Sequence, residues 1–493
     1  MSNPLFPLNE YVPDGEPHVF GDRVYLYGSH DRENGDRFCM EDYTVYSAPI
    51  DELTAWTCHG VTYKKEQDPR SKEGKPVDFY APDCVQGNDG RFYLYYAAMG
   101  PNVKSFGPMS VAVSDKPEGP FEYLSDIRYP DGRPLLKFLT NDPAVMNDNG
   151  RIYLYYGWGL GRDFRSKLMA PVYNLIQSRL FDRPVSEIKA TKPSILSCAV
   201  VELCEDMYTV KGEPKAVLDS KTTADRTSDL YQHAFYEAPS IRKFKGLYYL
   251  VYSSNENCEL CYATSRYPDR GFEYRGVIIS NADLGYKGNT KYYAAASTIH
   301  GGIECIKGKY YIFYHRCTNN TDFSRQACAE PITIDETGFI EQVEITTQGV
   351  EENPLEAKRL WQAAECCNLY NDRTGRVQGN GHSRDLPTIV SEKGRSYVTA
   401  IDRGTVIGFK YLNFKNVSRI SVTYRGDGGR LEVRTGDKPQ DEVVLQLRES
   451  RDWTSHEAEI TFSGVHPLYF IYEGTGKLDL LEFEIFQSSD DFE

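Results

Sequence analysis

A hydrophobic segment rich in tyrosine recurs five times along the first part of the chain, and a glycine opens each copy. Short apolar and aromatic runs bounded by turn residues predict β-strands. Equivalent tyrosines, at positions 25, 93, 153, 249 and 311, are 68, 60, 96 and 62 residues apart. A period of roughly 60 residues accommodates four strands with their connections, which is one blade of a β-propeller. The long third interval indicates an insertion at about residues 162–233.

A polar residue lies seven to nine positions before each of these glycines, and the five are Asp14, Asp83, Asp142, Glu237 and His300. Because the innermost strands of a propeller surround its axis, we expect these side chains to converge at one end of the central channel. An aspartate next to proline or glycine is ordinary turn chemistry. Four carboxylates and one histidine at equivalent places in five repeats are hard to explain as turn residues alone. Glu237 is also a poor turn residue and, if buried, must be paired, protonated or functional. Together these observations favour a functional site.

The repeat stops near residue 350, and the remaining residues alternate between apolar and polar with turn glycines. Such alternation predicts a β-sandwich. We therefore predict an all-β protein with a five-bladed β-propeller over residues 1–350 and a β-sandwich of the jelly-roll type over 351–493. A length of 493 residues suits two domains.

Composition and charge limit the kinds of partner that the protein is expected to bind. The 37 Tyr and 23 Phe favour strands. A net charge of −15 repels phosphate backbones and anionic membranes, so we expect neither nucleic acid nor a membrane as partner. The chain has no run of 18 apolar residues and no leader segment near its start, which predicts a cytoplasmic protein. The 12 cysteines are scattered, and the C-x-x-C pair at 258 and 261 lacks the second pair that zinc would need.

At the recurring polar positions the chain resembles glycoside hydrolase family 43, the group of β-xylosidases, α-L-arabinofuranosidases and arabinanases. The resemblance covers about residues 1–350, with the motifs in the family's order. It implies a five-bladed propeller that hydrolyses with inversion. It also implies that Asp14 is the general base, that Glu237 is the general acid, and that Asp142 modulates the pKa of that acid and positions it. Inversion needs one carboxylate to activate water and one protonated carboxyl on the opposite face of the sugar.

Further residues are candidates for substrate binding. Tyr80 and Asp83 lie in a segment similar to the family's Trp-Ala-Pro-Asp, with tyrosine in place of tryptophan. Arg325 lies where the family often supplies an arginine, although a solvated surface charge is the alternative. Trp158 follows the third strand and is either a platform for a sugar ring or a cap on the blade. Asp31 is a further candidate at the rim.

The resemblance implies no cofactor for the chemistry, but it makes His300 a candidate for holding a central calcium ion or a water. A histidine that only forms hydrogen bonds within the channel is the alternative, since calcium prefers several oxygen ligands.

Three segments of the second region, residues 361–365, 452–454 and 476–483, resemble carbohydrate-binding module family 6. That resemblance makes Glu365 and Asp479 candidates for a structural calcium site. The family commonly has a sugar-binding asparagine two residues before the late aspartate, and here that residue is Lys477. The module is therefore expected to support the propeller or to shape its mouth.

These patterns together predict an inverting, exo-acting β-xylosidase, α-L-arabinofuranosidase or both, acting on oligosaccharides derived from hemicellulose. The insertion near the site favours short substrates. One alternative is a retaining propeller hydrolase of fructans, whose first-blade motif usually differs from the Val-Pro-Asp-Gly-Glu-Pro present here. Another is a carbohydrate-binding protein without catalysis, which would not need the complete set of Asp14, Asp142 and Glu237. The oligomeric state is left open.

Overall fold

The computed structural model describes residues 3–100, 106–256, 258–377, 385–436 and 442–487. Most of the described chain up to residue 332 forms five small antiparallel sheets. The first sheet consists of β1 (Glu16–Phe20), β2 (Arg23–Tyr27), β3 (Tyr43–Pro49) and β4 (Thr57–Tyr63). The second consists of β5 (Asp78–Gln86), β6 (Phe92–Met99), β7 (Ser110–Ser114) and β8 (Glu122–Asp126). The third consists of β9 (Ala144–Asp148), β10 (Arg151–Gly157), β11 (Ser197–Leu203) and β12 (Lys215–Asp219).

The last two sheets of this region follow the same order. The fourth consists of β13 (Phe235–Phe244), β14 (Leu247–Ser254), β15 (Glu259–Ser265) and β16 (Glu273–Ser280). The fifth has three named strands, β17 (Ile303–Ile306), β18 (Lys309–Cys317) and β19 (Arg325–Ile332). In each sheet the strands pair with their sequence neighbours, as in the blades of a propeller. The prediction of a five-bladed propeller is confirmed.

The repeated aromatic segments are the second strands of the blades, and they fill the spaces between neighbouring blades. Side chains alternate across a strand. In β2, Tyr25 and Tyr27 pack towards the second blade in a cluster with Tyr96, whereas Val24 and Leu26 pack towards the fifth blade. Both faces of such a strand are buried, which explains why the repeats are almost continuously hydrophobic.

Residues 3–5 close the ring of blades. The backbone N–H of Leu5 donates to the carbonyl of Ala327 at 2.9 Å. The Asn3 side chain donates to the carbonyl of Ala329 at 3.1 Å and accepts from its N–H at 3.0 Å. The segment thus lies along β19 without forming a strand, and the earliest described residues bind the last blade.

The predicted insertion is shorter than expected. Two helices, α1 (Ala170–Leu180) and α2 (Val185–Ala190), lie between β10 and β11. The second part of the predicted span instead contains β11 and β12, which complete the third blade. Within the described ranges, no helix is long and apolar enough to cross a membrane. Short 3-10 helices occur at Lys65–Gln67, Asp229–Tyr231, Tyr286–Gly288 and Ala363–Glu365.

The strands after residue 354 form two facing sheets of six strands each, as predicted for a β-sandwich. One sheet contains β20 (Leu355–Glu356), β22 (Asn368–Tyr370), β25 (Val406–Asn413), β27 (Gly429–Thr435), β28 (Glu442–Leu447) and β30 (Val465–Tyr472). The other contains β21 (Leu360–Gln362), β23 (Thr388–Glu392), β24 (Arg395–Ile401), β26 (Val417–Gly426), β29 (Ser450–Glu459) and β31 (Leu478–Gln487). The core between them includes Trp361, Phe409, Phe470 and Phe483.

Polar contacts attach the sandwich to the propeller. The guanidinium of Arg316, on β18, donates to the carbonyls of Ala364 and Cys366, both at 2.6 Å. The buried ammonium of Lys410, on β25, lies 2.9 Å from Glu344 and 3.5 Å from Asp283. Charge-assisted bonds of this kind hold the two regions in a fixed relation.

Candidate active site

In each blade, the segment at or just before the first strand reaches the central channel at a residue with a positive backbone φ. The five are Asp14 (φ 58°), Ala81 (28°), Asp142 (48°), Ala238 (61°) and Gly301 (159°). Such conformations are unfavourable for residues other than glycine and cluster at functional sites. Side chains reach the cavity either from this residue, as in Asp14 and Asp142, or from the residue before it, as in Glu237 and His300.

These residues surround one cavity of about 330 Å³ at the channel mouth. Its lining includes seven residues singled out from the sequence, namely Asp14, Asp142, Glu237, Tyr80, Trp158, His300 and Arg325. The volume lies at the small end of ligand pockets, which are typically about 300–1,000 Å³. A cavity of this size accommodates one sugar ring with little space around it.

Asp14 is held as a carboxylate. Its Oδ1 accepts a hydrogen bond from Arg325 Nη1 at 2.7 Å, and its backbone N–H donates to His315 Nδ1 at 3.2 Å. Burial raises the pKa of Asp14, but the charge of Arg325, the neighbouring histidines and a hydrogen bond with Ser29 together lower it more, so the pKa lies below its ordinary value. An ionised carboxylate that faces a cavity can accept a proton from water.

Arg325 is fixed by a second carboxylate. Its Nε donates to Asp31 Oδ2 at 2.8 Å and its Nη2 to Asp31 Oδ1 at 3.0 Å, a bidentate pair. Phe38 lies against the guanidinium, with its ring centre 4.8 Å from the Arg325 carbon. Asp31 does not line the cavity, so this rim candidate acts on the site through the arginine that it orients.

Asp142 lies next to the backbone of the glutamate-bearing strand. Its Oδ2 accepts a hydrogen bond from the N–H of Ala238 at 3.1 Å. Burial raises the pKa of Asp142 to about 6, only partly opposed by His300. The carboxylate of Asp142 in turn raises the pKa of its neighbour Glu237, which is the effect expected of two acids in one dry site.

Glu237 is the most perturbed acid of the cavity. Burial, followed by the charge of Asp142, raises the pKa of Glu237 to about 8. The indole N–H of Trp158 donates to Glu237 Oε2 at 2.8 Å. Trp158 itself packs against Phe106, Phe181 and Tyr236, with ring centres 5.2–5.7 Å apart. Glu237 is therefore a carboxylic acid at neutral pH, positioned by an aromatic wall.

Two histidines differ in charge although both are buried here. Burial lowers the pKa of His300, but Glu16, Asp142 and Asp14 together raise it to about 9. Burial lowers the pKa of His315 to about 3, so this ring is neutral and its Nδ1 can accept the hydrogen bond of Asp14. The cavity thus contains one cationic and one neutral imidazole.

Asp83 does not join the cavity, which departs from the expected convergence of five polar groups. Its fully buried carboxylate lies 2.6 Å from His18 Nε2 and accepts a hydrogen bond from the N–H of Val145 at 2.6 Å. The sequences Tyr80-Ala81-Pro82 and Glu237-Ala238-Pro239 show the reason. Tyr80, not Asp83, occupies the position of Glu237, and Asp83 lies three residues deeper in the channel.

The structure places Glu365 and Asp479, the candidates for a second calcium site, beside arginines. Arg359 Nη2 donates to Glu365 at 2.9 Å, and Arg425 Nε donates to Asp479 at 2.8 Å. Among the described residues, neither carboxylate belongs to a group of three ligand atoms close enough to share a metal.

Several residues that line the cavity were not predicted as site residues from the sequence, among them Phe38, Phe106, Asn141, Tyr236 and His315. His315 had a recognisable signal, because it follows the hydrophobic run 310–314 without a turn and is fully buried. Phe38 and Phe106 come from loops, whose paths the repeat does not predict.

The sequence profile of Glycosyl hydrolases family 43 matches residues 2–340. A xylosidase/arabinosidase of Thermoclostridium stercorarium is 38% identical over 98% of this chain and 98% of its own. The solved family 43 enzyme of Xanthomonas citri complexed with xylose is 28% identical, with a TM-score of 0.53, over 70% of this chain and 93% of that one. A β-xylosidase/α-arabinofuranosidase from a compost microbial metagenome, solved with xylotriose in a calcium-free form, is 25% identical, with a TM-score of 0.53, over 70% and 98%.

Proposed function

The chain belongs to glycosyl hydrolases family 43 and is a glycoside hydrolase, and we propose that it releases single xylose or arabinose units from the ends of short oligosaccharides with inversion. The opposite pKa shifts of Asp14 and Glu237 within one cavity carry this proposal. Pairs of acids pushed apart in this way assign the base and the acid of a hydrolytic reaction.

The reaction follows from this assignment. The carboxylate of Asp14 accepts a proton from a water as that water attacks the anomeric carbon. Glu237 donates its proton to the glycosidic oxygen as the bond to the leaving group breaks. Asp142, hydrogen-bonded to the N–H of Ala238, positions the strand of the acid and keeps its pKa high. The anomeric centre is inverted because water and leaving group are on opposite faces.

The substrate class rests on the cavity and on the relatives. A space of about 330 Å³ walled by Tyr80, Trp158 and Phe106 suits one sugar ring and supports removal of terminal units. The full-length relative is named a xylosidase/arabinosidase, and the Xanthomonas citri enzyme was solved with xylose. These names support pentose-containing oligosaccharides of hemicellulose as substrates.

Proton NMR of a fresh reaction tests both the sugar and the stereochemistry. The panel should include the nitrophenyl β-D-xyloside and α-L-arabinofuranoside. We expect the first product to be the inverted anomer, which then mutarotates. Initial release of the retained anomer would replace the proposed water attack by a covalent intermediate. Absence of cleavage on every glycoside of the panel would rule out xylose and arabinose as the released sugars.

The ionisation of Glu237 is expected to set the alkaline limb of the pH dependence of kcat/KM. The acid must be protonated to donate, and its pKa is raised to about 8. We therefore expect activity to persist through neutral pH and to fall about tenfold per pH unit above roughly pH 8. A profile that already fell between pH 5 and 6 on its alkaline side would contradict a protonated Glu237.

Trp158→Phe is the matched variant for this profile. It keeps an aromatic ring but removes the N–H that stabilises the charged form of Glu237. The alkaline limb should move to higher pH, whereas loss of a merely structural ring would lower activity at every pH without moving the limb.

A calcium ion has a candidate position below the cavity. Glu16 Oε1 and His300 Nε2 are buried, lack a hydrogen-bond partner among the described residues, and lie 3.7 Å apart. Glu16 supplies an oxygen of the kind that calcium prefers, and His300 would become a second ligand only by losing its proton to solvent, with water oxygens as the others. A bound ion would add positive charge next to Asp14 and Asp142.

Calorimetric titration of chelator-treated protein with calcium chloride tests this site. We expect saturable binding that also raises Tm, because a ligand of the native state stabilises it. Glu16→Gln should abolish both effects. No heat and an unchanged Tm at millimolar calcium would leave protonated His300 as the partner of Glu16.

For the domain division, residues 1–350 are assigned as the catalytic propeller and 351–493 as a supporting β-sandwich. The N–H of Val377 donates to the carbonyl of Ala296 at 2.7 Å, and the N–H of Ala296 donates to the carbonyl of Gly375 at 3.1 Å. Ala296 precedes His300 by four residues, so the sandwich braces the segment that brings this histidine to the cavity.

A further inference from the structure

Cys261 belongs to the C-x-x-C pair that has no second pair of cysteines in the sequence, and the structure brings a histidine and a glutamate to it. The thiol of Cys261, a carboxylate oxygen of Glu259 and a ring nitrogen of His233 all lie within 4.8 Å of one another. The other cysteine of the pair, Cys258, lies apart, and its Sγ accepts a hydrogen bond from Arg376 at 3.5 Å. The fold thus supplies ligand types that the local sequence pattern lacks.

The backbone explains why these three side chains meet. Glu259 and Cys261 are two residues apart on β15, so their side chains lie on the same face of the sheet. His233 lies just before β13, where Tyr252 Oη donates to its carbonyl at 2.8 Å. Its ring nitrogen Nδ1 lies 2.6 Å from Glu259 Oε1. The imidazole is therefore held against the carboxylate from a neighbouring segment.

A thiolate, an imidazole and a carboxylate together favour zinc among the common divalent cations. Calcium and magnesium prefer oxygen ligands, whereas zinc takes sulfur, nitrogen and oxygen in one tetrahedral site. A neutral imidazole with a carboxylate and a thiolate carries a charge of −2, which balances Zn²⁺ in a mostly buried place. The thiol releases its proton to solvent when the ion binds.

We propose that His233, Glu259 and Cys261 bind one Zn²⁺ ion, with a water molecule as the fourth ligand. Zinc bonds of about 2.0–2.3 Å at tetrahedral angles place the ligand atoms about 3.3–3.7 Å apart. Cys261 Sγ and Glu259 Oε1 already lie 3.6 Å apart. The imidazole would move away from the carboxylate by about 0.7 Å to admit the ion. The side chain of His233 is 31% exposed, which allows this movement and gives the ion access from solvent.

Outer contacts orient the proposed ligands. Ser254 Oγ donates to Glu259 Oε1 at 2.6 Å. The ring of His233 stacks on Tyr274, with ring centres 5.3 Å apart and planes 6° apart. Partners of this kind fix the direction of a ligand atom and contribute to metal affinity. Hydrogen bonds among the same groups keep the site assembled before an ion enters.

The proposed site lies behind the strand that carries the catalytic acid. His233 precedes Glu237 by four residues. Between them, Ala234 exchanges two hydrogen bonds with Asn255, both at 2.8 Å. A zinc ion would fasten this segment to β15 from outside the cavity. Its expected effect is therefore a more stable protein, and the proposal does not depend on which sugar is released.

Absorption titration of the chelator-treated full chain with cobalt chloride tests the proposal, because Co²⁺ replaces Zn²⁺ in tetrahedral sites and absorbs light. We expect a thiolate-to-cobalt charge-transfer band in the near ultraviolet that saturates at one ion per chain and disappears when zinc chloride is added. Zinc chloride should also raise Tm. A second group of possible ligands, Glu16, His18 and Asp83, has no sulfur and cannot give this band.

Cys261→Ser should abolish the band and raise the dissociation constant for zinc at least about 100-fold, since even changes to outer contacts cost about 10- to 100-fold. His233→Gln alters a partly exposed side chain and should weaken zinc binding similarly without impairing folding, checked by circular dichroism. Cys258→Ser is the matched control and should keep both the band and the affinity.

The same titrations can overturn the proposal. A wild-type chain without a saturable band would do so, as would a band that survives Cys261→Ser. A band lost only in Cys58→Ser would overturn it in favour of adventitious binding to the exposed thiol of Cys58.

Discussion

Glu237→Gln is expected to lower kcat/KM on xylobiose by about 10³-fold, near the middle of the range for loss of a positioned general acid. Glutamine keeps the shape and the acceptor for Trp158 Nε1 but has no proton to donate. A nitrophenyl xyloside should lose much less, roughly 10- to 100-fold, because its phenolate departs without protonation. The difference between the two substrates, measured by initial rates, identifies the acid.

Glu330→Gln is a matched control for this substitution. Glu330 is also fully buried, and burial also raises its pKa to about 8, but it accepts hydrogen bonds from Thr346 and Asn3 outside the cavity. The control should retain activity on both substrates. Equal losses on xylobiose and on the nitrophenyl xyloside in Glu237→Gln would rule out its role as the acid.

Asp14→Asn is expected to lower kcat by at least about 10³-fold on xylobiose and on the nitrophenyl xyloside alike. The attacking water must be deprotonated whatever the leaving group, so an activated aglycone cannot compensate for the loss of the base. The fold should persist, since Arg325 keeps both hydrogen bonds to Asp31. Binding of xylose, measured by titration calorimetry, should change far less than kcat.

The control for Asp14→Asn is Asp283→Asn. Asp283 is likewise buried, with a pKa that burial raises to about 6, but it faces Lys410 at the contact with the sandwich. Its replacement should affect Tm and leave kcat near that of the wild type. If Asp14→Asn kept a wild-type kcat on either substrate, the base would have to be another residue.

The recurring aromatic strands made the propeller predictable. Both faces of each of these strands are buried, so the same hydrophobic pattern recurs in the sequence of every blade. The presence of Asp14, Asp142 and Glu237 at the cavity was also predictable, since each lies seven to nine residues before a turn glycine of the repeat. The register within the channel was not. Aligning Asp83 with Glu237 by distance to the next glycine ignored the Ala-Pro pairs, which place Tyr80 at the cavity instead.

Long-range partners explain the other gaps. Arg325 and Asp31 are 294 residues apart, and nothing in either local sequence predicts that they form a bidentate pair. The insertion was overestimated because β11 and β12 lack the tyrosine-rich pattern of the inner strands. Local patterns predict which strands form, whereas the side chains that meet at the channel depend on the closed ring.

Closure of the ring by residues 3–5 has a consequence for synthesis on the ribosome. The carbonyl of Ala327, which pairs with Leu5, is made more than 300 residues later. At roughly 5–20 residues per second, this delay lasts about 15–65 s. Throughout that interval the early blades have an open edge that can pair with other nascent chains. We expect the yield of active protein to depend more on chaperones acting during translation than on the stability of the finished ring.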